Sequence, residues 1–268
     1  MAIDKVRFGS VSVSKLILGG NPFSGFSHQT PERDNAMQHY YTTACIKETL
    51  AQAESLGINT FLGRADRHIS RTLMEYWDQG GGIQWFAQTC TEFVPHTRGI
   101  ANAISGGAAA CYLHGGQMDF WLAQGGTDRI RKCIDMIKEA GLPAGIAGHT
   151  TRVFEWAEEN LDLDFYMCCY YNPSRRDERA EHVSGMREYF APEDRDAMVH
   201  LIAQLGKPAI HYKVFAAGRN GPAEAMDFVA QHLRPQDAAC IGVFTKDNPN
   251  MLAEDRDLFE QSLRKAGK

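Results

Sequence analysis

Ile17-Leu18-Gly19-Gly20-Asn21, Thr60-Phe61-Leu62-Gly63-Arg64, Trp85-Phe86-Ala87-Gln88 and Cys111-Tyr112-Leu113-His114 are the first four of eight short apolar runs in this chain. Gly145-Ile146-Ala147-Gly148-His149, Phe165 through Asn172, Ile210-His211-Tyr212-Lys213 and Ile241 through Lys246 are the other four. Runs this short and this apolar read as buried strands, and each closes on a polar or ionisable residue. Parallel barrels gather their chemistry at the carboxyl ends of their strands, so the pattern predicts both an architecture and a place for function.

Between the runs lie segments of helical period. Ile46, Leu50 and Ala53 form one stripe, stopped by Gly57; Ile130, Ile134 and Ile137 form another behind a capping Thr127, closed by Gly141; Met198, Leu201, Ile202 and Leu205 form a third, ending at Gly206. Glycine after the last apolar residue supplies the left-handed conformation that helix ends often adopt. Further helices fit 69–78, 98–105, 151–160, 222–233 and 249–265. Strand and helix thus alternate eight times, which predicts an α/β fold, a (β/α)8 TIM barrel, as one domain over 1–268. An open doubly wound sheet satisfies the alternation too, but no G-x-G-x-x-G follows the first run. Residues 173–192 form a long charged connection after the sixth strand, either a substrate lid or a solvated loop.

The 268 residues are 44% apolar and carry a formal net charge of −5, with the basic residues scattered. No phosphate-tracking surface follows, so nucleic acid is not an expected partner. No stretch reaches the ~20 apolar residues of a membrane span, and the first residues have no signal-peptide core; a cytoplasmic protein with a small-molecule substrate is expected, its oligomeric state open. Seven cysteines without C-x-x-C spacing read as reduced, mostly buried thiols.

The strand ends supply the candidate chemistry. Arg64, Asp66 and His68 follow the second strand; Asp66 either orients a base or caps the next helix. His114 and His149 end adjacent strands, where two inward imidazoles can share a substrate or, with His68, a divalent metal. Lys213 closes the seventh strand and can act as base, Schiff-base amine or oxyanion partner, or simply pair with a loop carboxylate. Asn21, Gln88, Tyr170 and Asn172 suit a polyhydroxylated ligand, with strand parity leaving Tyr170 and Tyr171 undecided. Arg219 and Lys246, in the loops after strands seven and eight, are candidates for holding a cofactor phosphate.

With these residues in view, the chain resembles the aldo-keto reductase superfamily. Phe8 through Gly20 is similar to that family's amino-terminal β-hairpin and first strand, Leu56-Gly57-Ile58-Asn59-Thr60-Phe61 to its second-strand entry, and Leu113-His114 to the position of its catalytic histidine. The resemblance implies the hairpin, a TIM barrel, and NADP(H)-dependent carbonyl reduction. The family's remaining catalytic residues have no counterpart: Leu62 stands where an aspartate is expected, no tyrosine occurs within 64–68, and Gln88 or Thr89 stands for the lysine. Losing tyrosine and lysine removes the proton relay of carbonyl reduction. Arg64, His68, His149 and Lys213 supply other groups, so nonredox proton transfer (isomerisation, epimerisation or elimination on a sugar-like carbonyl compound) is the leading expectation. A nicotinamide-dependent oxidoreductase with Tyr170 or Lys213 as proton donor, and a noncatalytic binding protein, are the alternatives.

Overall fold

The computed structural model describes residues 3–268. β1 (Lys5–Phe8) and β2 (Val11–Ser14) pair antiparallel about Gly9, whose φ of 58° permits the tight turn. Eight parallel strands then close a barrel: β3 (Leu16–Gly19), β4 (Thr60–Arg64), β5 (Gln84–Gln88), β6 (Ala110–Leu113), β7 (Ala144–Gly148), β8 (Phe165–Cys169), β9 (Ala209–Tyr212) and β10 (Ala238–Ile241), with β10 returning to β3. The fold is an α/β TIM barrel with an N-terminal β-hairpin.

The helices are α1 (Pro31–Tyr40), α2 (Thr43–Ser55), α3 (Arg67–Asp78), α4 (Thr97–Ser105), α5 (Gly115–Ala123), α6 (Thr127–Glu139), α7 (Thr151–Asn160), α8 (Pro192–Ile202), α9 (Pro222–His232) and α10 (Met251–Lys265). None is long and apolar enough to cross a membrane. Strand period two divides the core. Leu18, Phe61, Trp85, Leu113, Ile146 and Ile241 face outward into the helix layer, while Ile17, Leu62, Phe86, Tyr112, Ala147 and Met167 fill the barrel. The hairpin plugs the amino-terminal end: the Phe8 ring meets Phe86 and Phe165 edge-on at 6.2 and 5.7 Å.

Several expected boundaries shift. The eighth strand is Ala238–Ile241, and Gly242 through Lys246 has already left the sheet. Thr127 is the first residue of α6 rather than its cap, since Gly126 precedes the helix and no side chain caps it. Leu205 lies beyond α8. Two helices were not anticipated. α1 has no apolar stripe and buries only Asp34 and Met37; it forms because the Thr30 side chain accepts from Arg33 N with Pro31 at the first position. α5 opens on Gly115-Gly116 and is buried on most sides, so no periodic contrast marks it.

Residues 173–191 contain neither helix nor strand, and Pro192 opens α8, yet the segment is docked rather than free. Tyr189 N donates to Pro173 O at 2.8 Å and closes the base of the loop. Ser184 Oγ donates to Asp34 of α1 at 2.5 Å, and the Arg219 guanidinium stacks on Phe190 at 4.1 Å. The Ala180 carbonyl rests on Gly116, where a Cβ would stand 2.3 Å from it.

A candidate active site at the barrel mouth

Strand alternation aims Arg64, Gln88, Tyr112, His114, His149 and Tyr212 at the carboxyl end of the barrel. His114 immediately follows β6 and His149 follows β7, on adjacent strands as expected. Gly115 gives the His149 ring room: a Cβ there would lie 2.9 Å from His149 Cε1 and 3.2 Å from the Tyr212 hydroxyl. Tyr112 Oη donates to Gln88 Oε1 at 3.0 Å, which orients the amide of Gln88 at the mouth.

The two histidines carry opposite hydrogen-bond polarity. Gly116 N donates to His114 Nδ1 at 3.1 Å, so Nδ1 is the acceptor nitrogen and the proton of neutral His114 sits on Nε2. His149 Nδ1 lies 2.6 Å from Asp119 Oδ2 of α5, so here Nδ1–H donates and Nε2 keeps its lone pair. Burial holds His114 well below the ordinary imidazole range, reinforced by the charges of His149, Arg176, Arg64 and Lys213. Burial also lowers His149, although Asp119 opposes the shift. Neutral imidazoles with one donor and one acceptor directed into a common mouth form a natural acid–base pair.

Lys213 joins them by a backbone device. β9 ends at Tyr212, and Lys213 adopts the left-handed region with φ 57°, departing from strand alternation. His211, by contrast, follows the alternation of β9 and is buried outside the barrel wall against Tyr170 and Asp237. The Lys213 Nζ is buried without a hydrogen-bond partner, and burial lowers its pKa. Its charge helps depress His28, His114 and His149. Arg176 of the 173–192 loop is buried, donating to Glu181 O at 2.6 Å with its Nε unpartnered among the described residues.

The other sequence-derived candidates separate into distinct places. Asp66 caps α3, accepting from Ile69 N at 2.9 Å, while its other oxygen accepts from Arg64 Nε at 3.0 Å. Arg64 also pairs with Glu92. His68 is exposed in the first turn of α3. Asn21 is half-buried after β3, and Asn172 lines a cleft of about 340 Å³ with Asp119, Thr150, Arg175 and Arg176. Tyr170 does not reach the ligand side: its hydroxyl meets His211 Nδ1 at 2.8 Å and its ring packs on Phe228 of α9. Tyr171 packs against the ring of Phe190 from the 173–192 loop and accepts from Asn220 Nδ2 at 2.7 Å. Arg219, expected at a cofactor phosphate, is engaged by the His28 carbonyl and Phe190, whereas Lys246 is exposed in the loop before α10.

The expected metal set of His68, His114 and His149 is not gathered, because His68 starts a helix on the surface and both other Nδ1 atoms are engaged within the fold. Among the described residues, the His and carboxylate donors that do converge are His28, His182 and Glu188. Together with Asp119, Arg176 and Tyr212, these escaped the sequence reading. Asp119 follows His114 by five positions, but the unrecognised α5 hid that relation; His28 meets His182 and Glu188 only through the docking of the 173–192 loop.

The positions that the reductase resemblance would use do not assemble its proton relay at the mouth, although Lys213 is there. Leu62 fills the barrel at the aspartate position, Gln88 and Thr89, the two candidates for the lysine position, are engaged by Tyr112 and by His114 N, and Tyr170 is behind the wall. No protein-family model and no curated protein matches the chain. Solved structures resemble it in fold. A candidate aldo-keto reductase from Pseudomonas aeruginosa is 18% identical with a TM-score of 0.64, covering 97% of this chain and 96% of that one. The N-acetylmannosamine-6-phosphate 2-epimerase from Clostridium perfringens is 11% identical with a TM-score of 0.56, over 89% and 92% of the two chains. The 3-hexulose-6-phosphate synthase from Salmonella typhimurium is 12% identical with a TM-score of 0.56, over 94% and 99%. At these identities the likeness is one of TIM-barrel fold.

Proposed function

We propose that the chain is an enzyme of nonredox proton transfer, an isomerase, epimerase or lyase, acting on a small polyhydroxylated carbonyl compound that bears an anionic group. The complementary His114–His149 pair carries this reading. His149 Nε2 removes the proton from the carbon beside the carbonyl, and Asp119 stabilises the imidazolium that results. The C–H electron pair moves into an enolate, whose oxygen receives the hydrogen bond from His114 Nε2–H. Returning the proton to the neighbouring carbon or to the opposite face gives an isomer or epimer; expelling a β-substituent gives elimination. None of these steps needs an external electron acceptor. Arg176 and Lys213 supply positive charge for the enolate and for the anionic substituent. A noncatalytic binding protein would not require the Asp119–His149 polarity.

The test is deuterium wash-in from D2O to the α-carbon of a panel of ketoses, aldoses and sugar acids, followed by NMR without added nicotinamide. Exchange by the wild type and its loss in His149→Gln is the expected result. Absence of exchange together with saturable, micromolar NADPH binding and carbonyl-dependent oxidation would replace this reading with the oxidoreductase.

A further inference from the structure

Glu188 belongs to the lid and its side chain is only 4% exposed, yet its carboxylate faces two imidazoles. His28 Nδ1 lies 3.0 Å from both carboxylate oxygens, and His182 Nδ1 lies 3.3 Å from Oε1. The two rings stand 4.7 Å apart, and donor atoms of all three residues fall within 4.8 Å of one another. First-row divalent ions make bonds of ~2.0–2.2 Å to imidazole and carboxylate, which sets adjacent donors roughly 3–3.5 Å apart. The imidazole–carboxylate separations already have that size.

We propose that His28, His182 and Glu188 bind a divalent transition-metal ion of the zinc type, and that this ion clasps the 173–192 lid to the loop between β3 and α1. Two imidazoles and one carboxylate select this class over magnesium or calcium, which take oxygen ligands, and they leave coordination positions for water or substrate. The fold holds His28 ready. Its backbone sits at φ 56°, and both terminal nitrogens of Arg219 donate to its carbonyl at 3.2 Å. Burial, aided by Lys213, keeps the ring neutral, the form that ligates. The buried, unpartnered Nζ of Lys213 acts electrostatically on both His28 and Glu188, and a water on the ion offers the acceptor it lacks. Glu188 and His182 come from the lid and His28 from the barrel face, so one ion joins the two.

The proposal does not depend on the catalytic reading, since no readout below is turnover. Protein stripped with a chelator is titrated with Zn2+ alone and with Co2+ alone, by calorimetry and by visible absorption. One saturable equivalent, with Co2+ ligand-field bands, is expected; His182→Ala and Glu188→Gln should each weaken it at least ~10-fold, while His39→Ala on exposed α1 leaves it unchanged. Glu188→Gln keeps a hydrogen-bonding side chain of the same size, so it reports on ligation even where His182→Ala disturbs folding. Zn2+ should also slow tryptic cleavage at the exposed Arg175, Arg179 and Arg187. Failure of the wild type to bind, or binding that both ligand variants leave intact, overturns the site; binding with unchanged cleavage overturns the clasp.

Discussion

At the residue scale, His149 depends on Asp119 in two opposed ways. Burial lowers the imidazole below 6.5 and Asp119 pulls it back up. The base works only when neutral, so activity should be present above the His149 pKa in the fold and fall as pH drops through it. Asp119→Asn removes the contribution that raises the pKa, and the acid limb of kcat should move to lower pH. The same change releases the Nδ1–H that fixes the tautomer, so kcat itself should fall by roughly 10²–10⁴. Rate-against-pH curves for both proteins check this; an unmoved limb would show that Asp119 does not act on His149. Tyr170→Phe should behave in the opposite manner. It leaves His211 Nδ1 without its partner behind the wall, costing about 1–3 kcal/mol in urea unfolding with KM unchanged. The sequence named His114, His149 and Lys213 correctly as ends of strands, because period two and run length are local. It left Tyr170 and Tyr171 undecided, because parity is fixed only once the strand is placed, and the left-handed backbone that takes Lys213 out of alternation leaves no compositional mark.

At the element scale, the lid and the start of α5 make a sharper test than either alone. Replacing glycine by alanine inside a helix ordinarily stabilises by ~0.5–1 kcal/mol. Gly116 sits in α5, but the added methyl would stand 2.3 Å from the Ala180 carbonyl. Gly116→Ala should therefore loosen the lid: trypsin should cut faster after Arg179, and thermal stability should not rise. A stabilised protein with unchanged cleavage would mean that the lid does not rest there. The barrel itself was readable from eight apolar runs and their intervening stripes. What escaped, α1 and α5, lacks periodic contrast, the first because its burial is slight and the second because it is enclosed. The 173–192 connection was visible as a long charged loop, whereas its docking depends on Asp34, Gly116 and Arg219, contacts made across the whole chain.

At the scale of the whole molecule, the buried histidines set the response to acid. His28, His114, His149 and His211 are all held below the ordinary imidazole pKa, in each case first by burial, and His28 is lowered to about 3. As pH falls through 6.5 the unfolded chain takes up these protons before the folded one does. Their contribution to stability is therefore complete above about 6.5 and is lost as pH falls toward the folded pKa values, by up to about 1.4 kcal/mol per pH unit for each histidine still neutral in the fold. Glu188 and Asp237 act in the same direction at lower pH. Burial alone would raise both, but hydrogen bonds from His182 and His28 hold Glu188 down, and those from His211 and Arg234 hold Asp237 down. Their stabilisation is present above the ordinary carboxylate range, at about 4, and is lost below it. A fold destabilised only through carboxylates would keep its urea midpoint down to about pH 5. Here the midpoint should already fall between pH 6.5 and 5.5, before the carboxylates titrate. Equal midpoints at pH 8 and pH 5 would show that the buried imidazoles gain charge in the fold as readily as in the unfolded chain, and would remove the neutral acid–base pair on which the mouth chemistry rests.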